Sequence, residues 1–107
     1  MGTLIKKAIR MKVYPDKHEE YKKRHDELWP ELEKELKQHG CLSYTIWLDE
    51  ETNFLFGYLE IEDENQWEKL PATEINKKWW DYMKDVMDTN EDHSPITSNL
   101  KNVFDLK

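Results

Sequence analysis

Along this chain the spacing of apolar residues switches between two and about three and a half, and the order of those switches limits the folds open to it. Ile9, Met11 and Val13 alternate with Arg10 and Lys12, which predicts a strand with one buried face. Tyr14-Pro15 ends it. Asp16 with Glu19 three residues on forms the carboxylate version of a helix-capping pair. From there Tyr21, His25, Leu28, Leu32 and Leu36 fall at steps of three and four, the stripe of a helix that stops at Gly40. Pro30 lies inside this stretch. It lacks an amide donor, and in a regular helix its ring collides with the carbonyl of Asp26 at a cost of about 3 kcal/mol. The helix must therefore kink or restart near His25 to Trp29, which puts His25 beside a helix end where backbone polar groups are unpaired.

The two-residue period returns at Tyr44, Ile46 and Leu48, and again in NFLFGYLEI from Asn53 to Ile61, where Phe54, Phe56 and Tyr58 share one face. Both faces of that strand are apolar, so both should be covered. The short polar Asp49-Glu50-Glu51-Thr52 between the two strands suits an antiparallel hairpin. Thr73 is placed to cap a second helix carrying Ile75, Trp79, Tyr82, Met83 and Val86. A turn-rich loop follows, and Val103 to Leu106 is expected to close the chain as a last strand. The order strand, helix, strand, strand, helix, strand is the split βαβ, or ferredoxin-like, arrangement of the α+β class. Its antiparallel sheet carries helices on one face only. The other face, also apolar, would be wet in a monomer, so a homodimer packed sheet to sheet, of the dimeric α/β-barrel type, is expected.

With 107 residues the chain fits one domain spanning 1–107. Its 16 basic against 23 acidic side chains leave a net charge of −7, which opposes a phosphate backbone and argues against nucleic acid as a partner. No apolar run approaches the roughly 18 to 20 residues that span a bilayer, and the start lacks a signal-peptide core, so no membrane association and a cytoplasmic location are expected. One cysteine, Cys41, cannot form an internal disulfide and reads as a small apolar filler.

Tyr21 and His25, four apart on a helix, can reach the same small molecule. Histidine is the side chain best matched to proton transfer near neutral pH, and a tyrosine hydroxyl can orient a ligand; a lone histidine beside an apolar stripe is more often structural. Adjacent Trp79 and Trp80 diverge by about 100° on a helix, so only one indole can face the core squarely. The other is either a platform for the C–H face of a sugar or a packing residue at a helix edge or dimer interface. Tyr44 is either a core aromatic or a sugar contact. His18 and His25 are seven apart, roughly 10 Å along a helix and too far to meet one ion, so no metal is expected. His39 reads as a helix C-terminal partner and His93 as a loop residue. No phosphate loop, dinucleotide fingerprint, Cys-x-x-Cys pair or nucleophile elbow is present.

The runs PDKHEEYKKRHDELWPELEKELKQHG, YTIWLDEETNFLFGYLEI, KKWWDYMKDVM and NEDHSPITSNLKNVFDL together resemble the L-rhamnose mutarotase family from about Lys6 to Leu106. The resemblance implies a dimeric ferredoxin-like enzyme that interconverts the α and β anomers of L-rhamnose in sugar catabolism without a cofactor. It implies His25 as the proton donor and Tyr21, Tyr44, Trp79 and Trp80 as sugar-binding residues. The general base is not identified by it. Two other classes share this scaffold, a cofactor-independent monooxygenase and a non-catalytic ligand-binding dimer.

Overall fold

The computed structural model describes residues 4–106. In chain order these form β1 (Ile5–Lys12), α1 (His18–Asp26), α2 (Pro30–Gln38), β2 (Cys41–Asp49) and β3 (Phe54–Ile61). A short α3 (Glu64–Trp67), a 3-10 turn (Leu70–Ala72), α4 (Glu74–Met83) and β4 (Ser98–Asn99) follow. The strands lie in the order β2-β3-β1-β4, every neighbouring pair antiparallel, which is the ferredoxin-like sheet expected from the alternation of periods.

Register sets which residues the helices cover. Ile9 pairs with Gly57 and Met11 with Leu55 on one side of β3, and Ile46 pairs with Gly57 and Leu48 with Leu55 on the other. Directly opposed residues share a face, so Ile9, Met11, Ile46, Leu48, Leu55 and Leu59 point together towards the helices. Met11, Leu55 and Leu59 are buried there with Leu32, Trp79, Met83 and Val86. The opposite face carries Phe54, Phe56 and Trp47, and the expectation that both faces of β3 are covered fails within one chain: Trp47 is 58% exposed and Phe56 36%.

Pro30 acts as anticipated. Helix α1 stops at Asp26, Trp29 adopts an extended backbone that suits the residue before a proline, and Pro30 becomes the first residue of α2, where its missing N–H is no loss. Gly40 ends α2 at φ +88°, a conformation glycine adopts without a Cβ penalty.

Three local expectations need correction. Asp16 does not cap α1, whose preceding residue is Lys17 with no side-chain cap. Thr73 does precede α4, but its hydroxyl donates backwards to the Leu70 carbonyl at 2.7 Å instead of capping. No strand forms at Val103 to Leu106: Ser98 and Asn99 pair with Arg10 and Ile9, and the chain then runs on without regular structure, held by the Leu100 amide on the Ala8 carbonyl (2.9 Å) and by Asp105 near Lys6 (3.4 Å). The Asn102 side chain accepts from the Phe104 amide at 3.0 Å. Such a local turn competes with a strand ladder for the same backbone donor.

A charged clamp holds α1 against the C-terminal turn of α4. The Arg24 guanidinium, its side chain largely buried, donates to Glu20, to the Tyr82 carbonyl at 2.6 Å and to both carboxylate oxygens of Asp85, and lies over the Tyr82 ring 4.2 Å from its centre. Replacing Arg24 with Ala should lower stability by about 1–3 kcal/mol in urea unfolding. Lysine should restore little of it, since a single ammonium cannot reach three acceptors in a planar fork; full recovery by lysine would contradict the clamp.

Candidate active site

The proline break leaves α1 two turns long, with Tyr21 and His25 one above the other on its inner side. Their rings stack at 4.4 Å between centres. Trp79, on α4, meets the His25 imidazole edge-on at 5.4 Å and the Trp29 indole edge-on at 5.1 Å. Trp29 also packs on Tyr82 at 5.3 Å. The result is an aromatic frame that fixes the imidazole from two sides.

Beneath the frame lies a cavity of about 940 Å³, near the upper end of the ~300–1,000 Å³ typical of small-molecule sites. Tyr21, His25, Tyr44, Trp79 and Trp80 all line it. Of the tandem indoles, Trp79 is buried in the core and Trp80 is only half-buried, and both line the cavity. Tyr44 sits on the edge strand β2, on the helix-facing side opposite Leu59. Its ring leans across Gly57, where a Cβ would come within 3.3 Å of Tyr44 Cε1 and 3.1 Å of Ile9 Cγ1. Glycine at this position clears the space the phenol occupies.

Burial sets the proton states. Burial, with Tyr44 nearby, raises the Tyr21 hydroxyl far above the ordinary phenol range, and burial, with Cys41 nearby, pushes Tyr44 up to about 12. Tyr44 keeps 37% of its surface open, part of it as cavity wall, so the desolvation acts on its hydroxyl end. Both phenols are neutral donors at physiological pH. Burial lowers the His25 pKa below its usual 6.5, against weaker opposing effects of the Tyr21 carbonyl and Asp26. His25 Nδ1 lies 3.0 Å from that carbonyl. A carbonyl only accepts, so Nδ1 carries the hydrogen and the neutral ring keeps a free lone pair on Nε2.

Of the other histidines, His39 hydrogen-bonds the Glu35 carbonyl at the end of α2, at 2.9 Å. His18 lines the cavity and contacts Asn53 Oδ1 at 2.8 Å; His93, in the loop at φ +69°, also lines it and lies 3.2 Å from Asp81. Among the described residues no three His, Cys, Asp or Glu side chains converge as metal ligands. Sequence reasoning did not single out Gly57 or Asn76, and it marked Trp29 by its place in the family-like run and at the helix break, not as part of the pocket frame. Gly57 matters only through its neighbours across the sheet, and Asn76 only through its burial beside the cavity.

Fold and lining together define a ferredoxin-like α+β protein with an aromatic, histidine-bearing pocket suited to a small ligand that has both C–H faces and hydroxyls. A family model described as L-rhamnose mutarotase matches residues 6–106. The chain belongs to the L-rhamnose mutarotase family. An L-rhamnose mutarotase of Enterococcus faecalis is 58% identical over 103 residues, covering 96% of this chain and all of that protein, and one of Clostridium beijerinckii is 54% identical over 97% of this chain and all of that protein. The crystal structure of an L-rhamnose mutarotase from Formosa agariphila superposes with a TM-score of 0.89 at 42% identity, covering 96% of this chain and 99% of that one. A candidate antibiotic biosynthesis monooxygenase of Nitrosomonas europaea superposes at 0.64 with 15% identity over 94% of this chain and 88% of that one, a likeness of fold alone.

The depressed histidine can be read directly. In an NMR titration the His25 ring should show a midpoint below 6.5. Because the unfolded chain takes up this proton first, the contribution of neutral His25 to stability is complete above about pH 6.5 and is lost as the pH falls from there to the folded midpoint. A midpoint at or above 6.5 would contradict the desolvated imidazole.

Proposed function

We propose that this chain is an isomerase that interconverts the α and β anomers of L-rhamnose by acid/base-assisted opening and reclosure of the pyranose ring. His25 moves the proton, and Tyr21, Tyr44, Trp79 and Trp80 bind the sugar. The observation that carries the reading is the coincidence of two facts: the chain matches the family over nearly its whole length, and those five side chains line one cavity. Likeness to the monooxygenase structure stops at fold and does not support that alternative.

The proton inventory suits the chemistry. Neutral Nε2 takes the proton of the anomeric hydroxyl; its oxygen closes a carbonyl on C1 as the bond from C1 to the ring oxygen breaks, and the imidazolium returns the proton to that ring oxygen. The product is the open aldehyde with a free hydroxyl at the former ring position. Rotation about the bond from C1 to C2 presents the other carbonyl face, and the same steps in reverse close the second anomer. Both oxygens are attached to C1, so one imidazole can serve as base and then as acid. No electrons are exchanged with a second molecule, so the cycle calls for no redox cofactor. The neutral phenols donate to sugar hydroxyls, and the indoles cover C–H faces.

Saturation-transfer NMR on L-rhamnose tests this. Anomer exchange should rise in proportion to protein concentration, and His25→Ala should reduce it by about 10² to 10⁴. Exchange that stays at the spontaneous rate at every protein concentration would reject the enzyme, and binding without exchange would identify a ligand-binding protein instead.

The biological unit we propose is a homodimer formed through the open sheet face, acting in the cytoplasm in L-rhamnose catabolism. Trp47 and Phe56 on that face are exposed, as are Val103, Phe104 and Leu106 of the C-terminal stretch, apolar surface of the kind a second copy would cover. The lone Cys41 suits a reducing compartment, and no helix among the described residues is long and apolar enough to cross a membrane. Sedimentation should give twice the chain mass, and Trp47→Glu should shift it to one; a wild-type monomer at micromolar concentration would remove the dimer.

A further inference from the structure

Asn76, on α4, is 6% exposed, and its Nδ2 is sealed from solvent with no hydrogen-bond partner, the one such side-chain nitrogen or oxygen among the described residues. A buried donor left unpaired is unfavourable, and native proteins keep very few of them. Leu32, Leu36 and Leu70, which line the same cavity, and Ile75, the residue before Asn76 on α4, are all apolar. Asn76 also lines the cavity and lies one helical turn before Trp79 and Trp80. Asn76 and the aromatic wall therefore border the same cavity, with Nδ2 turned to its protein side.

We propose that Asn76 is a specificity residue of this site: its carboxamide hydrogen-bonds one ring hydroxyl of the pyranose that Trp79 and Trp80 cover. The inference rests on the mutarotase reading and adds a recognition contact to it. A half-turn about the bond from Cβ to Cγ exchanges Oδ1 and Nδ2, so the amide can present a donor or an acceptor to that hydroxyl. Turned in this way, the amide brings Nδ2 from its sealed position to the cavity side, where it can donate to the sugar. A site of this kind discriminates sharply against a sugar that lacks the matching hydroxyl, because the amide is then left unpaired in the complex as well.

The test uses Asn76→Leu, close in volume and without polar atoms, beside Asn76→Ala. For Asn76→Leu we expect the Kd for L-rhamnose, by NMR titration, to rise about tenfold. Its Tm should equal or exceed that of the wild type, because the orphaned donor is gone. A packing role would move the two readouts the other way, with lower Tm and unchanged Kd. Among 2-deoxy-, 3-deoxy- and 4-deoxy-L-rhamnose, one should bind the wild type about tenfold more weakly than L-rhamnose does, and should lose nothing further in Asn76→Leu. Equal Kd values for L-rhamnose in wild type and both variants would overturn the proposal while leaving the enzyme intact. Loss of anomer exchange with these binding differences preserved would instead overturn the mutarotase reading alone, and a wild type that binds none of the sugars would overturn both.

Discussion

Trp79 is the contact through which the two helical segments of this fold are held to one another at the site. Its indole meets His25 near the end of α1 and Trp29 in the break before α2, both edge-on, while its own body is buried in the core above the sheet. Edge-to-face aromatic pairs favour particular angles as well as distances. Two of them sharing one ring fix the imidazole far more narrowly than a stripe of aliphatic side chains could. Arg24 then closes the far side, tying α1 to Tyr82 and Asp85. The histidine is therefore positioned by core packing, and the same residues that stabilise the domain orient its imidazole.

That dependence explains which parts of the structure were legible in the chain. The strand and helix alternation and the break at Pro30 follow from local sterics and periodicity, and they appear where expected because burial agreed with propensity. His25 and Tyr21 were legible for the same reason: four residues apart on one helix, they had to share a face. Trp79 and Trp80 could be recognised as competing for the core, but which one won required the position of α2. The C-terminal strand was misplaced because three apolar residues in the last stretch look like a strand, while the Asn102 side chain diverts the Phe104 amide into a turn. Asn76 gave no signal at all. An asparagine in a helix is unremarkable until its neighbours are known to leave its amide unpaired.

The small size of the domain bears on the open sheet face. A chain of this length buries only about two thirds of its unfolded surface, and part of the interior here is given to a cavity instead of to packed side chains. Covering Trp47 and Phe56 with a second copy would return apolar burial to the side of the sheet remote from the pocket. Stability could then be gained on one face without filling the other.

The lowered histidine pKa follows from the same economy of space. A cavity walled by indoles and phenols is poor at solvating charge, so the resting imidazole is neutral and its hydrogen is held on Nδ1 by the Tyr21 carbonyl. A permanently charged acid would sit more comfortably in a wetter site, but it would have no lone pair to begin ring opening. On the proposed mechanism, a neutral ring that gained the anomeric proton would be an imidazolium only while sugar hydroxyls and phenol donors surrounded it. Its proton is then easily given up, because the apolar walls disfavour the charge. In the cycle proposed above, the environment that makes His25 a reluctant cation would also make it a good acid once it has taken up a proton, so burial alone would serve both roles without any additional residue.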